Sequence, residues 1–225
     1  VGLESTVADV TGVSVVVLKT KYPQGGEKQL IEAVTGRQVP SGGLPMDAHV
    51  NVFNVGTAAA VADAVILGKP LVSRVTTVTG CVREPSNLLL RVGTPVQEAI
   101  EAAGGCSEEP GKVFLGGSMT GVALPDTGLP MTKANNGIVV LSQKDAVVAQ
   151  PTPCIRCARC LAACPIKLNP QRLKELCDQM DYAKAKKEHV MDCIVCAACS
   201  YVCPAKLELS PTFKEAKDKI TARRI

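Results

Sequence analysis

CIRCARCLAACP (154–165) and CIVCAACSYVCP (193–204) coincide at all four cysteines and at the closing proline. Each run reads C-x2-C-x2-C-x3-C-P. Three cysteines spaced three apart can wrap one face of a cubane iron–sulfur cluster, and a proline after the fourth stops a helix from continuing. In two-cluster ferredoxins the fourth cysteine of each run ligates the other cluster. The spacing therefore predicts Cys154, Cys157 and Cys160 with Cys203 around one [4Fe-4S] cluster, and Cys193, Cys196 and Cys199 with Cys164 around a second. Such a crossover ties both clusters into one folding unit with approximate twofold symmetry. Zinc and disulfides are the competing readings. A structural zinc site takes four ligands from two separated knuckles, a pattern these runs overfill. A disulfide scaffold is shorter and more evenly studded with cysteine.

Cys81, Cys106 and Cys177 complete the eleven cysteines and lack ligand spacing, so they are expected to act as small buried hydrophobes. The small residues between the ligands, such as Ala158, Ala162, Ala197 and Ala198, leave backbone N–H groups free to approach sulfur. Arg156 and Arg159 have Val195 and Ala198 as counterparts in the second run, which makes the first run a basic face suited to an acidic electron carrier.

The rest of the 225 residues divides around position 150. Twenty-six of 29 valines precede it, which places the β-rich part first. Residues 151–225 carry 14 Lys and Arg against 8 Asp and Glu. VSVVVL (13–18) reads as a buried strand and VNVF (50–53) as an alternating one. GGEKQLIEAVTG (25–36) reads as a helix stopped by Gly36. TAAAVADAVILG (57–68) reads as a helix with Thr57 as N-cap and Gly68 beyond its end. This β-α-β-α order suggests an α/β layer over 1–69. LVSRVTTVTG (71–80), NLLLRVG (87–93) and the helix opened by Thr94-Pro95 form a strand–strand–helix unit over 70–110. KVFL (112–115) and GIVVL (137–141) add strands within 111–150, around an irregular loop at 116–136. Asn169-Pro170 and Ser210-Pro211 start helices in 151–225, with another between Asp181 and Val190.

Composition excludes several classes. Disorder is ruled out by 46% hydrophobic residues and a net charge of only +4. No apolar run reaches the roughly 18 residues of a membrane span. With 3% aromatics, no Trp and a dispersed basic excess, no nucleic-acid partner is expected. Only Lys184, Lys186 and Lys187 form a dense basic patch, which reads as a solvated helix face. Neither His49 nor His189 lies near a nucleophile motif, which argues against a hydrolase. Eight thiolates and two oxidised cluster cores would bring the formal charge to about zero. The Val-Gly-Leu-Glu start, without Met, is what a truncated or processed end would look like.

KTKYPQGGEKQLIEAVTGRQVPSGGLP (19–45), NVGTAAAVADAV (54–65), RVTTVTG (74–80) and then the two cysteine runs closely resemble the RnfC family, the C subunits of Rnf complexes, in that family's order and over nearly the whole chain. The resemblance implies three parts: a flavin- and NAD(H)-binding α/β domain like the complex I flavoprotein (1–69 holding part of it), a β-grasp SLBB insert (70–110), and a helical domain with two [4Fe-4S] clusters (151–225). It implies a membrane-bound ferredoxin:NAD+ oxidoreductase coupled to Na+ or H+ movement. The chain would be a peripheral member on the cytoplasmic face of a bacterial membrane, with the other Rnf subunits and ferredoxin as partners. Gly26 and Glu27 match the relative's Gly-Glu-Glu stretch at the flavin site, with Lys28 departing from its second Glu. Asn54 and Thr57 match its Asn-Asn-Val-Glu-Thr, as further flavin contacts. The Gly-rich phosphate loop of the family has no counterpart here, and no G-x-G-x-x-G occurs, so FMN is expected to stay with a full-length protein and not with these 225 residues. No single residue is expected to be catalytic. A cobalamin reductase of the propanediol-utilisation type shares the layout and is the runner-up. A ligand-binding module with structural metal is the third reading.

Overall fold

The computed structural model describes residues 12–223. Strand β1 (Ser73–Gly80) runs antiparallel to β2 (Ser86–Arg91), with Ser73 opposite Arg91 and Val78 opposite Ser86. Its other edge pairs in parallel with β5 (Gly137–Ser142). Beyond β5 lie β3 (Pro110–Leu115) and the two-residue β4 (Val122–Ala123), both antiparallel, giving the order β2-β1-β5-β3-β4. The β-branched content of β1 and β5 suits a pleated, half-buried surface. Alternation sends Val78, Ile138, Val140 and Val113 inward, where Val96, Ala99 and Ile100 of the helix Val96–Ala102 cover them. Segments 70–110 and 111–150 thus share one sheet.

The first helix, α1 (Glu27–Thr35), ends at Gly36, whose left-handed φ of 70° lets its N–H reach Glu32 O. The second, α2 (Val55–Leu67), ends the same way at Gly68. Its N-cap is Asn54, not Thr57. The Asn54 carboxamide oxygen accepts from Gly56 N at 3.0 Å, and the Asn54 carbonyl takes the Thr57 and Ala58 N–H groups, so the helix opens three residues before the expected cap. No residue of α2 is buried, and Val55 and Val65 stand 77% and 80% exposed.

Both strands expected before residue 69 are absent as strands. Residues 13–18 and 50–53 have no regular secondary structure and join no ladder, and Val13, Val15, Val16 and Val17 are exposed. An apolar run becomes a strand only where another strand takes its N–H and C=O groups, and no described segment does so here.

The helix Val96–Ala102 is α3. The last third adds α4 (Arg159–Ala163), α5 (Pro170–Asp178), α6 (Tyr182–Lys187), α7 (Ala198–Tyr201) and α8 (Leu209–Arg223). Asn169 caps α5 by accepting from Arg172 N, and Pro170 fills the first helical position, where its missing N–H costs nothing. Leu173, Leu176, Tyr182, Val190, Phe213 and Ile220 form a second core, separate from that of the sheet and completed by Cys199 and Cys203. Two polar contacts join the first segment to this helical unit. The Tyr22 hydroxyl donates to Cys196 O at 2.5 Å, and the Ser41 hydroxyl donates to the Asp192 carboxylate at 2.7 Å.

Candidate metal centres and the adjoining cavity

The two cysteine runs fold alike. Each counterpart pair lies 39 residues apart, and the left-handed residues repeat with the same offset: Arg156 with Val195, Ala158 with Ala197, Lys167 with Lys206. None of the six is glycine, so each carries a backbone cost that the surroundings must hold in place. This geometry turns backbone N–H groups toward sulfur. Arg156 N donates to Cys154 Sγ at 3.4 Å, and Leu168 N donates to Cys164 Sγ at 3.3 Å. Such concavities of N–H groups stabilise anionic sulfur.

The runs cross. Cys154, Cys157 and Cys160 line a cavity of about 190 Å³ together with Cys203. Cys193, Cys196 and Cys199 line a tighter space of about 20 Å³ together with Cys164, closed by Ile194 and Phe213. Each cavity therefore gathers three sulfurs of one run and the fourth of the other. Among the described residues no three His, Cys, Asp or Glu side chains converge on a point able to hold one metal ion. The first space suits a polynuclear group, and the second must widen to admit one.

Electrostatics favour a cationic occupant. Burial, and then Cys193, push the Cys199 thiol up to about 12. Burial also raises Cys160, with Cys203 and Cys154 adding to the rise. Cys193 is raised by burial despite the nearby Lys217 ammonium. Four thiolates in one buried pocket repel one another unless metal charge offsets them, and the iron of a [4Fe-4S] core supplies that charge. The donor set, the N–H groups and the crossed arrangement all fit two such clusters.

The second quartet backs onto another cavity, of about 480 Å³, within the usual size of ligand sites. Its walls are the Lys21–Gln29 stretch, Thr120, Ile194 and Cys196. Gly26 and Glu27 lie here. The space a Gly26 Cβ would need is taken by Gln29 Oε1 at 2.7 Å, whereas Gly25 faces nothing within 4 Å. A side chain at Gly25 would project into open space, so of the Gly-Gly pair it is Gly26 that is sterically required. Gln29 Oε1 is buried without a hydrogen-bond partner. These groups fit the polar edge of a planar ligand such as a flavin. Asn54 lines a different cavity of about 500 Å³, between α2 and β1, and Thr57 lines neither. The four flavin candidates are therefore not brought together among the described residues.

Of the remaining cysteines only Cys177 is fully buried; Cys81 and Cys106 are half-buried, and the Cys81 thiol donates to Glu108 O at 3.6 Å. Cys177 is buried in the helical core, its thiol raised by burial and then by Asp178. Cys81 and Cys106 pack against the sheet core. His49 and His189 are exposed.

Three family models match in chain order: the Nuo51 FMN-binding domain over residues 2–63, the SLBB domain over 75–123 and the 4Fe-4S dicluster domain over 146–204. The C subunit of the proton-translocating ferredoxin:NAD(+) oxidoreductase complex of Clostridium ljungdahlii is 49% identical over 80% of this chain and 39% of its own length. Its Na(+)-translocating counterpart from Acetobacterium woodii is 48% identical over 92% of this chain and 47% of its length. The C subunit of the ion-translocating oxidoreductase complex of Rhodobacter capsulatus is 44% identical over 92% and 40%. The chain thus spans under half the length of these curated relatives. With three domain types in one order and close identity along most of its length, the chain belongs to the RnfC family, the C subunits of ion-translocating oxidoreductase, or Rnf, complexes.

Proposed function

We propose that this chain is the electron-relay portion of an RnfC subunit of a ferredoxin:NAD+ oxidoreductase, coupled in its complex to Na+ or H+ movement. The crossed gathering of eight cysteines into two quartets carries this reading. Cys154, Cys157, Cys160 and Cys203 hold one [4Fe-4S] cluster, and Cys164, Cys193, Cys196 and Cys199 hold the other. Gly25, Gly26 and Glu27 form part of the flavin site, while Asn54 and Thr57 lie outside the cavity that these residues line. When bound, the clusters supply single-electron chemistry and the flavin links it to the two-electron chemistry of NAD(H).

The protein's own work is electrostatic and steric. The N–H groups of Arg156 and Leu168 favour the more negative, reduced state of the adjoining sulfurs. Phe213 and Ile194 keep water from the second quartet, while Cys154 and Cys157 are exposed. Ile155 and Arg156 line that open side, Arg159 follows within the same run, and all three are exposed. An exposed apolar residue beside these cations suits docking of an acidic one-electron carrier, either ferredoxin or another protein of the complex. No helix among the described residues is long and apolar enough to cross a membrane. Attachment at the cytoplasmic face through partner subunits agrees with this.

Anaerobic purification with iron, sulfide and flavin analysis tests the reading. About eight iron atoms per chain and two interacting EPR signals after reduction are expected. About one metal atom per chain, or metal without redox response between dithionite and air, would overturn it. These 225 residues are expected to lose FMN, and the full-length protein to keep it; stoichiometric FMN on the short chain would refute the first point.

A further inference from the structure

Tyr22 stands where the first segment meets the second cysteine quartet. Its phenol O–H donates to the backbone carbonyl of Cys196 at 2.5 Å, across 174 residues of sequence. Cys196 and Tyr22 both line the 480 Å³ cavity that holds Gly25, Gly26, Glu27 and Gln29. Cys196 also lines the space of the second quartet. Ile194 and Cys196 therefore form a wall common to both, and of the two Cys196 has its carbonyl held by Tyr22. Among the described residues the first quartet has no such link, because those around its cavity all lie between Cys154 and Leu209.

We propose that Tyr22 is a positioning residue that couples the Gly-Gly-Glu cavity to one cluster only, the one held by Cys164, Cys193, Cys196 and Cys199. The hydroxyl hydrogen carries the positive end of the O–H dipole and points at Cys196. It fixes the height of the Cys196 backbone against the cavity, and it stabilises added negative charge at that quartet. The Ser41–Asp192 contact one residue before Cys193 fastens the same junction from the other side. Together they hold the interface closed, and Tyr22 alone touches a ligand residue. This inference rests on the two-cluster reading above.

The test uses the full-length protein with both clusters and flavin. EPR-monitored redox titration is run on the unaltered protein and on Tyr22→Phe, which keeps the ring and removes only the donor. Cys157→Ser and Cys196→Ser variants assign the two signals, since oxygen ligation alters the signal of the cluster it touches. Tyr22→Phe should keep its full iron content. The signal assigned through Cys196 should move to lower potential, and the one assigned through Cys157 should stay in place. Adding NAD+ should perturb the Cys196-linked signal in the unaltered protein and perturb it less in Tyr22→Phe. Full iron with neither signal moved, or with the Cys157-linked signal moved instead, would overturn the role of Tyr22 and leave the two-cluster reading intact. Iron far below eight atoms in the unaltered protein would sink both.

Discussion

Lys217 reaches from α8 to the backbone carbonyl of Cys193, Nζ donating at 2.6 Å. The ammonium is half-buried and lowers the Cys193 thiol against the effect of burial, so its charge is felt at the second quartet. Reduction adds negative charge there, which a nearby cation favours. Lys217→Met keeps the apolar stem and removes the charge. The expected result is a fall of about 1 kcal/mol in reduction free energy, tens of millivolts for one electron, at one cluster of the two. EPR-monitored titration measures it, and an equal shift of both clusters would show that the charge acts at longer range.

Gly80 and Gly68 separate close approach from conformational cost. Both have positive φ, 93° and 62°. A Cβ at Gly80 would sit 2.1 Å from the Val140 carbonyl oxygen of the paired strand, whereas one at Gly68 meets nothing. Gly68→Ala should therefore cost about 1 kcal/mol, the strain of a left-handed alanine. Gly80→Ala must also displace the β1–β5 ladder and should cost more than about 4 kcal/mol. Thermal unfolding of the two variants checks the order, and a smaller loss at Gly80 would contradict the register.

The gathering of eight cysteines into two crossed quartets was legible because cluster chemistry dictates residue type and spacing together, and the crossover follows from how two such runs share one unit. Helix ends at Gly36 and Gly68 were legible for a similar reason, since few residues adopt a left-handed cap. The strand readings at 13–18 and 50–53 failed because pairing is a property of two segments and the sequence of one does not reveal its partner. Thr57 failed as a cap because Asn54, equally able to cap, lies three residues earlier and wins. Tyr22 was invisible as a contact of Cys196 because nothing local marks a hydrogen bond spanning 174 residues. The helix of α2 was legible, yet all its residues lie at least partly exposed among those described. A periodicity says which face wants burial and not what supplies it.

Removing iron should loosen one core and spare the other. The helical core includes Cys199 and Cys203 and surrounds both quartets, whereas the sheet core is built from Val78, Ile138, Val140 and the residues of α3. Cluster binding free energy is folding free energy for the part that holds it. After anaerobic chelation, amide exchange at Leu173, Leu176 and Phe213 should rise by orders of magnitude. Exchange at Val78 and Val140 should change little. Equal loss of protection in both sets would mean that the two cores unfold as one cooperative unit.

Arg156 and Arg159 are exposed beside the open side of the first quartet, and neither side chain forms an ion pair among the described residues. Arg156 has φ 55°, and its N–H, not its guanidinium, serves Cys154. Glutamate bears a similar strain at that backbone, so Arg156→Glu changes charge and leaves the N–H in place. If this face docks an acidic one-electron carrier, association at low salt should slow by roughly tenfold or more, with the difference vanishing as salt screens it. Stopped-flow transfer to a reduced or oxidised ferredoxin at several ionic strengths measures this. Arg91→Glu, an equal charge change on β2 outside the cysteine runs, is the control and should leave the rate within about twofold. An unchanged rate and salt slope in Arg156→Glu would place the docking face elsewhere on the molecule.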